Sequence, residues 1–209
     1  KIMWKSYSKN GFQIKGKSFL FILAIILITV IKSSGQTIVI NEVVGSNSTT
    51  ILDEDKSSSD WIELYNWGDT TVNLNGFGLS NDISQPHKWT FPDVDIPAKG
   101  FLLVFASSKN RKTIPLHTNF KVSASGEFLM ISDLSGTVIE SINTPVLITD
   151  LSYGRIPDGG MDFAILSKPT PAYGNDNTLF LPRCQTPIIS QAGGFYSGTV
   201  TLNISSADP

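Results

Sequence analysis

Asp60-Trp61-Ile62-Glu63-Leu64-Tyr65-Asn66, followed ten residues on by Gly76-Phe77-Gly78-Leu79-Ser80-Asn81, decides how this chain reads. Side chains alternate along an extended strand, so Ile62 and Leu64 share one face while Trp61, Glu63 and Tyr65 share the other. The aliphatic pair should point into a core. Beyond Gln36 no window of ten or more residues carries apolar positions at helical spacing, whereas short period-two runs bounded by turn residues recur throughout. An all-β class follows.

Working outward, candidate strands are Thr37 to Val44, Trp61 to Tyr65, Phe77 to Ser80, His87 to Phe91, Phe101 to Ala106, Glu127 to Ser132, Thr137 to Ile142, Leu151 to Ile156 and Met161 to Ile165. Nine short strands suit a β-sandwich. Asp133-Leu134-Ser135-Gly136 places Asp first and Gly fourth, the preference of a type I turn, which predicts a hairpin from Glu127 to Ile142. Its first strand is apolar on both sides, with Phe128 and Met130 on one face and Leu129 and Ile131 on the other, as a central, doubly covered strand requires. Asn75-Gly76, Pro97 to Gly100 and Pro157 to Gly160 are further turns. Thr144 to Asp150 and Ser167 to Asn177 are loop-like, and the second is expected to be the exit from the domain.

The first 35 residues are a different polymer. Lys1, Lys5, Lys9, Lys15 and Lys17 precede an uncharged apolar run from Phe19 to Ile31, and Ser33, Ser34 and Gly35 supply small residues before Gln36. That is the layout of a cleaved signal peptide, and it predicts a secreted or cell-surface location. The apolar run spans about 20 Å as a helix against the ~30 Å of a hydrocarbon core, which argues against a stable transmembrane span. Six of the sixteen lysines and arginines precede residue 36 and all eighteen acids follow it, which leaves a mature net charge of about −8. So acidic a surface repels phosphate backbones and disfavours nucleic acid as a partner. The one basic cluster, Lys109, Arg111 and Lys112, reads as a solvated loop, with contact to an anionic partner as the alternative.

With Cys184 as the only cysteine no intrachain disulfide exists, and stability must come from the apolar core. Cys184 falls in a linker; pairing with another chain or a nucleophilic role are its other readings. Pro187 to Ser205 begins a new pattern, with Gly193-Gly194-Phe195-Tyr196 and alternating Val200, Leu202 and Ile204. The expected organisation is a leader over 1–35, a β-sandwich over 36–177, a linker over 178–186, and over 187–209 an incomplete β segment of a longer protein.

With the strands placed, Ile40-Asn41-Glu42, Asp60 to Asn66, Gly76 to Asn81, Lys88 to Pro92, Pro97 to Phe105, Ser152 to Pro157 and Pro169 to Asn175 resemble, in that order, a lamin tail domain. The resemblance covers about residues 36 to 177 and is nearest to the version found in exported bacterial proteins. It implies an immunoglobulin-like β-sandwich that interacts rather than catalyses, set beside hydrolases, nucleases or spore-coat kinase-like domains in long exported chains. It carries no functional residues over. The tail from Pro187 is similar to the start of the fibronectin-like domain at the C-terminus of chitobiase-type enzymes.

Two groups of residues are candidate sites. Trp61 and Tyr65 on one strand, with Trp89 on another, could stack on a ligand such as a sugar, although aromatics serve equally as cross-strand packing. Asp53, Asp55 and Asp60, with Glu54 and Ser57 to Ser59, make an acidic loop rich in the hard oxygen ligands calcium takes, without EF-hand spacing; a solvated loop is the competing reading. Trp89 and Phe91 share a strand face and the same ambiguity. His87 and His117 stand thirty residues apart without zinc-site spacing and read as surface or strand residues. No nucleophile elbow, Walker loop or dinucleotide fingerprint occurs. The sequons Asn47-Ser48-Thr49 and Asn203-Ile204-Ser205 matter only in a host that glycosylates.

The expected function is a noncatalytic recognition or adhesion module at the cell exterior, binding protein or glycan. The alternative is the N-terminal accessory region of a larger exported enzyme, kinase-like or hydrolytic, with its active site beyond Pro209. Metal-dependent catalysis within these residues is the third and weakest reading.

Overall fold

Apolar alternation drives β1 (Ile38–Val44) against β2 (Trp61–Asn66), and in the computed structural model, which describes residues 37–175, 180–181 and 188–205, this antiparallel pair is the middle of a seven-stranded sheet. The remaining strands are β3 (Val72–Asn73), β4 (Gly78–Ser80), β5 (Trp89–Thr90), β6 (Asp95–Ile96), β7 (Phe101–Phe105), β8 (Leu116–His117), β9 (Phe128–Ser132), β10 (Val138–Asn143), β11 (Ser152–Arg155), β12 (Phe163–Leu166), β13 (Phe180–Leu181), β14 (Ile188–Ile189) and β15 (Ile204–Ser205). The large sheet runs β13-β12-β11-β1-β2-β7-β8, and a four-stranded sheet runs β10-β9-β4-β5. Every pairing in them is antiparallel except β7 with β8, which is parallel. β3 and β6 form a separate two-stranded pair. No helix occurs among the described residues, and none there is long and apolar enough to cross a membrane.

The two sheets face each other across one core. Ile38, Ile40 and Val43 of β1, Ile62 and Leu64 of β2 and Val104 of β7 meet Leu79, Trp89, Leu129, Ile131 and Ile142 of the smaller sheet. Removing one such aliphatic side chain from water contributes roughly 1.5–3 kcal/mol, and these layers replace the disulfide the chain lacks. The protein is an all-β, immunoglobulin-like sandwich. Leu129, Met130 and Ile131 are all buried, as expected of a strand flanked on both sides, by β10 and β4. At Asp133 to Gly136 the N–H of Gly136 donates to the Asp133 carbonyl at 3.0 Å, closing the predicted turn.

The register of β1 on β2 shifts between Ile40 and Glu42, so Asn41 is an extra, bulged residue. A bulge re-aims side chains locally. Here it turns Asn41 and Glu42 towards the outer face, beneath the loop read as the exit from the domain. There Thr170, Ala172 and Asn175 bond to Glu42, Glu63 and Asp158, so that residues 170–175 also form a strap across the sheet. β14 and β15 pair as a short hairpin with Ile188, Ile189 and Ile204 exposed. The leader expected over 1–35, nearly all of the 178–186 linker and Cys184 lie outside the described residues.

Candidate binding surface

Outward residues of β2 and β7 come together by register: Trp61 beside Phe105, Glu63 beside Leu103 and Tyr65 beside Phe101. Tyr65 and Phe101 stack with ring centroids 4.7 Å apart at 27°. Over this face a groove of about 410 Å³ opens, floored by Phe101 and Leu103 and walled by Ile51, Leu52, Ile114 and Pro115. Leu52 is 55% and Ile114 74% exposed. Asp53 and Glu54 stand at its rim.

Of the two readings of Trp61, Tyr65 and Trp89, a ligand platform or packing, the geometry matches packing, and no open three-ring platform forms. Trp61 does face outward from β2, but it is 0% exposed, packed with Val44, Phe105, Ile51 and Leu103, and its indole N–H donates to Thr50 Oγ1 at 3.2 Å. Trp89 is 2% exposed inside the core on the other sheet, edge-on to Phe91 at 4.9 Å. Lys112 Nζ lies 4.0 Å from its ring centroid, and its indole nitrogen has no hydrogen-bond partner. Strand periodicity sets the face a ring occupies, and it is silent about the loop that roofs it. Of the three, Tyr65 alone is half-buried.

The acidic loop and the basic cluster, read separately in the sequence, are two halves of one ionic clasp. Asp53 is buried and accepts from Lys109 Nζ at 2.5 Å, Ser59 Oγ at 2.6 Å and the N–H groups of Asp55 and Ser57 at 2.9 and 3.0 Å. Burial alone would raise its pKa, but these donors outweigh it and hold the carboxyl well below the usual range. Asp55 accepts from Lys109 at 2.8 Å and Arg111 at 2.6 Å, while Glu54 accepts from Arg111 and from His117 Nε2 at 2.9 Å. Asp60 stands apart, accepting from the Asn47 N–H at 2.9 Å.

Asp53, Asp55 and Asp60 therefore do not converge as the calcium set that the sequence suggested. Lysine and arginine take the place of the cation, and no group of three or more His, Cys, Asp or Glu among the described residues is placed to hold a metal ion. His117 is fully buried on β8, its other nitrogen 2.7 Å from Ser107 Oγ and its ring stacked on Phe105 at 5.1 Å. His87 is exposed and pairs with the Asp133 carbonyl at 2.8 Å.

Beside the groove lies a buried carboxyl pair that sequence reasoning missed. Glu42 and Glu63 are cross-strand partners, both 0% exposed. Ser152 Oγ donates to Glu42, as do the Thr170 N–H at 3.2 Å and Oγ1 at 3.1 Å. The Ala172 N–H donates to Glu63 at 2.6 Å and Asn41 Nδ2 at 3.3 Å. Desolvation pushes Glu42 up to about 7, against the pull of the Ser152 and Thr170 donors, and lifts Glu63 to about 8, where the charge of Glu42 adds to it. Asn41 joins this pair to Asp158, donating at 2.9 Å, and Asp158 receives the Asn175 N–H at 3.0 Å. The network seals the sheet under the strap, which makes it structural polarity and not an open site. No sequence signal links these residues, because their neighbours arrive more than a hundred positions later.

Against known families, the model of the Lamin Tail Domain matches residues 31–145. No curated protein matches the chain. The match stops before β11 and β12, although β11 pairs directly with β1.

Proposed function

This chain belongs to the lamin tail domain family, and on that premise we propose that it is a noncatalytic recognition module of the cell exterior, exported by its leader, which seats an apolar segment of a protein partner on the outer face of its large sheet. The family is one of noncatalytic immunoglobulin-like domains, and function on such a scaffold resides in surfaces grafted onto it. The observation that carries the reading is the groove over Phe101 and Leu103, whose walls Leu52 and Ile114 are large aliphatics left in water. A sugar needs fixed polar partners for its hydroxyls. Here the walls are aliphatic and the rim acids are already bound to Lys109, Arg111 and His117, so an apolar protein side chain suits the groove better than a glycan.

A peptide array and a glycan array probed with the purified chain and with Ile114→Asp test this. Peptides with bulky apolar residues bind the wild-type chain and lose about tenfold or more in affinity in the variant, whose melting temperature is unchanged because Ile114 is exposed. Binding confined to glycans, or peptide binding indifferent to Ile114→Asp, overturns the proposal.

A further inference from the structure

The two sheets of the sandwich differ in width, and the difference leaves one place unfilled. β9 and β10 lie against β1. Beyond β1 the large sheet continues through β11, β12 and β13, while the small sheet ends at β10. Three strands at ~4.8 Å spacing thus extend for about 14 Å with no strand of the described residues opposite them.

Along this overhang runs a cleft of about 450 Å³ between the edge of β10, at Glu140 to Asn143, and Tyr153, Arg155 and Phe163. Two rings stack on its floor among polar neighbours: Tyr153 and Phe163 lie 4.8 Å apart at 15°, and the Arg155 guanidinium lies 4.4 Å from the Phe163 centroid. Arg155 donates to the Ile40 carbonyl at 2.8 Å, to the Gly160 carbonyl and to Glu140 at 2.5 Å, so its donors are used within the domain. Met161 at the rim is 93% exposed.

The edge of β10 specifies what fits. The Thr144 N–H donates to the Glu127 carbonyl, and the ladder pairs Asn143 with Phe128, Ile142 with Leu129 and Ser141 with Met130. In an antiparallel ladder the bonded direction alternates, so Ile142 and Glu140 bond to β9 while the N–H and C=O groups of Ser141 and Asn143 point away from it. The bulge in β10 lies between Val138 and Glu140, outside this stretch, which stays straight. An exposed row of alternate backbone donors and acceptors is a template for one more strand.

We infer that the β10 edge and the Tyr153–Phe163 overhang together form an acceptor site for a single extended segment of a partner protein, which adds as a fifth strand to the small sheet and lays apolar side chains on the two stacked rings. A second copy of the chain does not fit: pairing β10 with β10 drives its own seven-stranded sheet into the space that β11 to β13 occupy. A lone strand needs only ~4.8 Å of width and meets both the outward backbone groups of β10 and the half-buried rings of Tyr153 and Phe163. This site is on the opposite side of the sheet from the Phe101 groove and stands whether or not that groove has a ligand.

The test is selection of a phage-displayed library of about twelve-residue peptides on the whole chain, then fluorescence anisotropy of an enriched peptide against the chain, Ser141→Ala and Ser141→Pro. Backbone pairing predicts affinity within about twofold for Ser141→Ala and about tenfold or more weaker for Ser141→Pro, since proline removes the outward N–H where an edge strand tolerates it. Hydrogen exchange on the wild-type chain provides the readout that survives if Ser141→Pro unfolds: bound peptide slows exchange at the amides of Ser141 and Asn143. No enriched peptide, enriched peptides that leave these two amides unprotected, or a dimer of the chain that protects them without peptide overturns the inference.

Discussion

Glu42 and Glu63 face each other across β1 and β2 with neither carboxyl reaching solvent, and the Asn41 bulge beside them brings an amide to the pair instead of a cation. A lysine or arginine in that place would hold both groups ionised. Without one, the pair keeps protons that carboxyls in an unfolded chain have released.

That relationship sets a pH dependence. Both folded values, about 7 and about 8, lie above the ordinary 4.5, so the folded chain binds more protons than the unfolded one across this window. Stability is then fully present below about pH 4.5 as far as these two groups go, and it is lost as pH rises through 7 and 8. Asp53 acts with the opposite sign, its depressed value withdrawing stability as the solution becomes strongly acidic. Thermal melts should show a falling Tm from about pH 5 to pH 9, and Glu63→Gln should flatten that fall. A Tm that climbs over this range refutes the buried pair.

Trp61→Ala should cost about 3–5 kcal/mol in urea unfolding, the range for truncating a large buried aromatic. Its side chain fills the space between Val44, Phe105, Ile51 and Leu103. A cost under ~1 kcal/mol would return Trp61 to the surface.

Lys109→Ala strips a charged donor from buried Asp53 and should destabilise by about 2 kcal/mol, the magnitude of a charge-assisted hydrogen bond. Calcium at about 1 mM should leave the Tm of the parent chain unchanged, because Asp53 and Asp55 are engaged by Lys109 and Arg111. A Tm that rises with calcium shows the clasp opening for the ion.

Ala172 holds a φ of 68°, in the left-handed region, in the turn that aims its N–H at Glu63. Ala172→Gly should stabilise by about 0.5–1 kcal/mol, the relief of the Cβ clash exceeding the extra freedom of the unfolded chain. Differential scanning calorimetry on the pair measures it. Destabilisation would mean that the turn is not strained.

A fragment of residues 37–145, which ends where the family match ends, should fail to fold, whereas 37–175 should fold cooperatively. The shorter piece lacks β11, the neighbour of β1, and leaves Glu42 and Glu63 without the strap. Near-ultraviolet circular dichroism and denaturant titration distinguish the two.

The sandwich was legible where a residue's role depends on its immediate neighbours. Ile62 and Leu64 point inward because of alternation alone, and Asp133 to Gly136 turns because of its own side chains and glycine. The two-residue strands β3, β6 and β8 escaped because two residues have no period. Trp61 and Asp53 stayed open between two readings for a different reason: the strand pattern is local, but the residues that cover and neutralise them, Ile51 and Thr50 for one and Lys109 for the other, arrive through loops whose path no periodicity encodes. Glu63 stood in the decisive stretch itself, and its burial rests on Ala172, 109 positions away.

The amide of Asn175 reaches the backbone carbonyl of Asn41 across 134 positions of chain. The first strand of the sandwich is therefore among the last of its strands to be enclosed, and a ribosome that has released a hundred residues of the domain still holds a polypeptide with no closed sandwich. Closure so long deferred makes assembly slow for the chain's size and leaves β1 exposed to wrong partners in the interval.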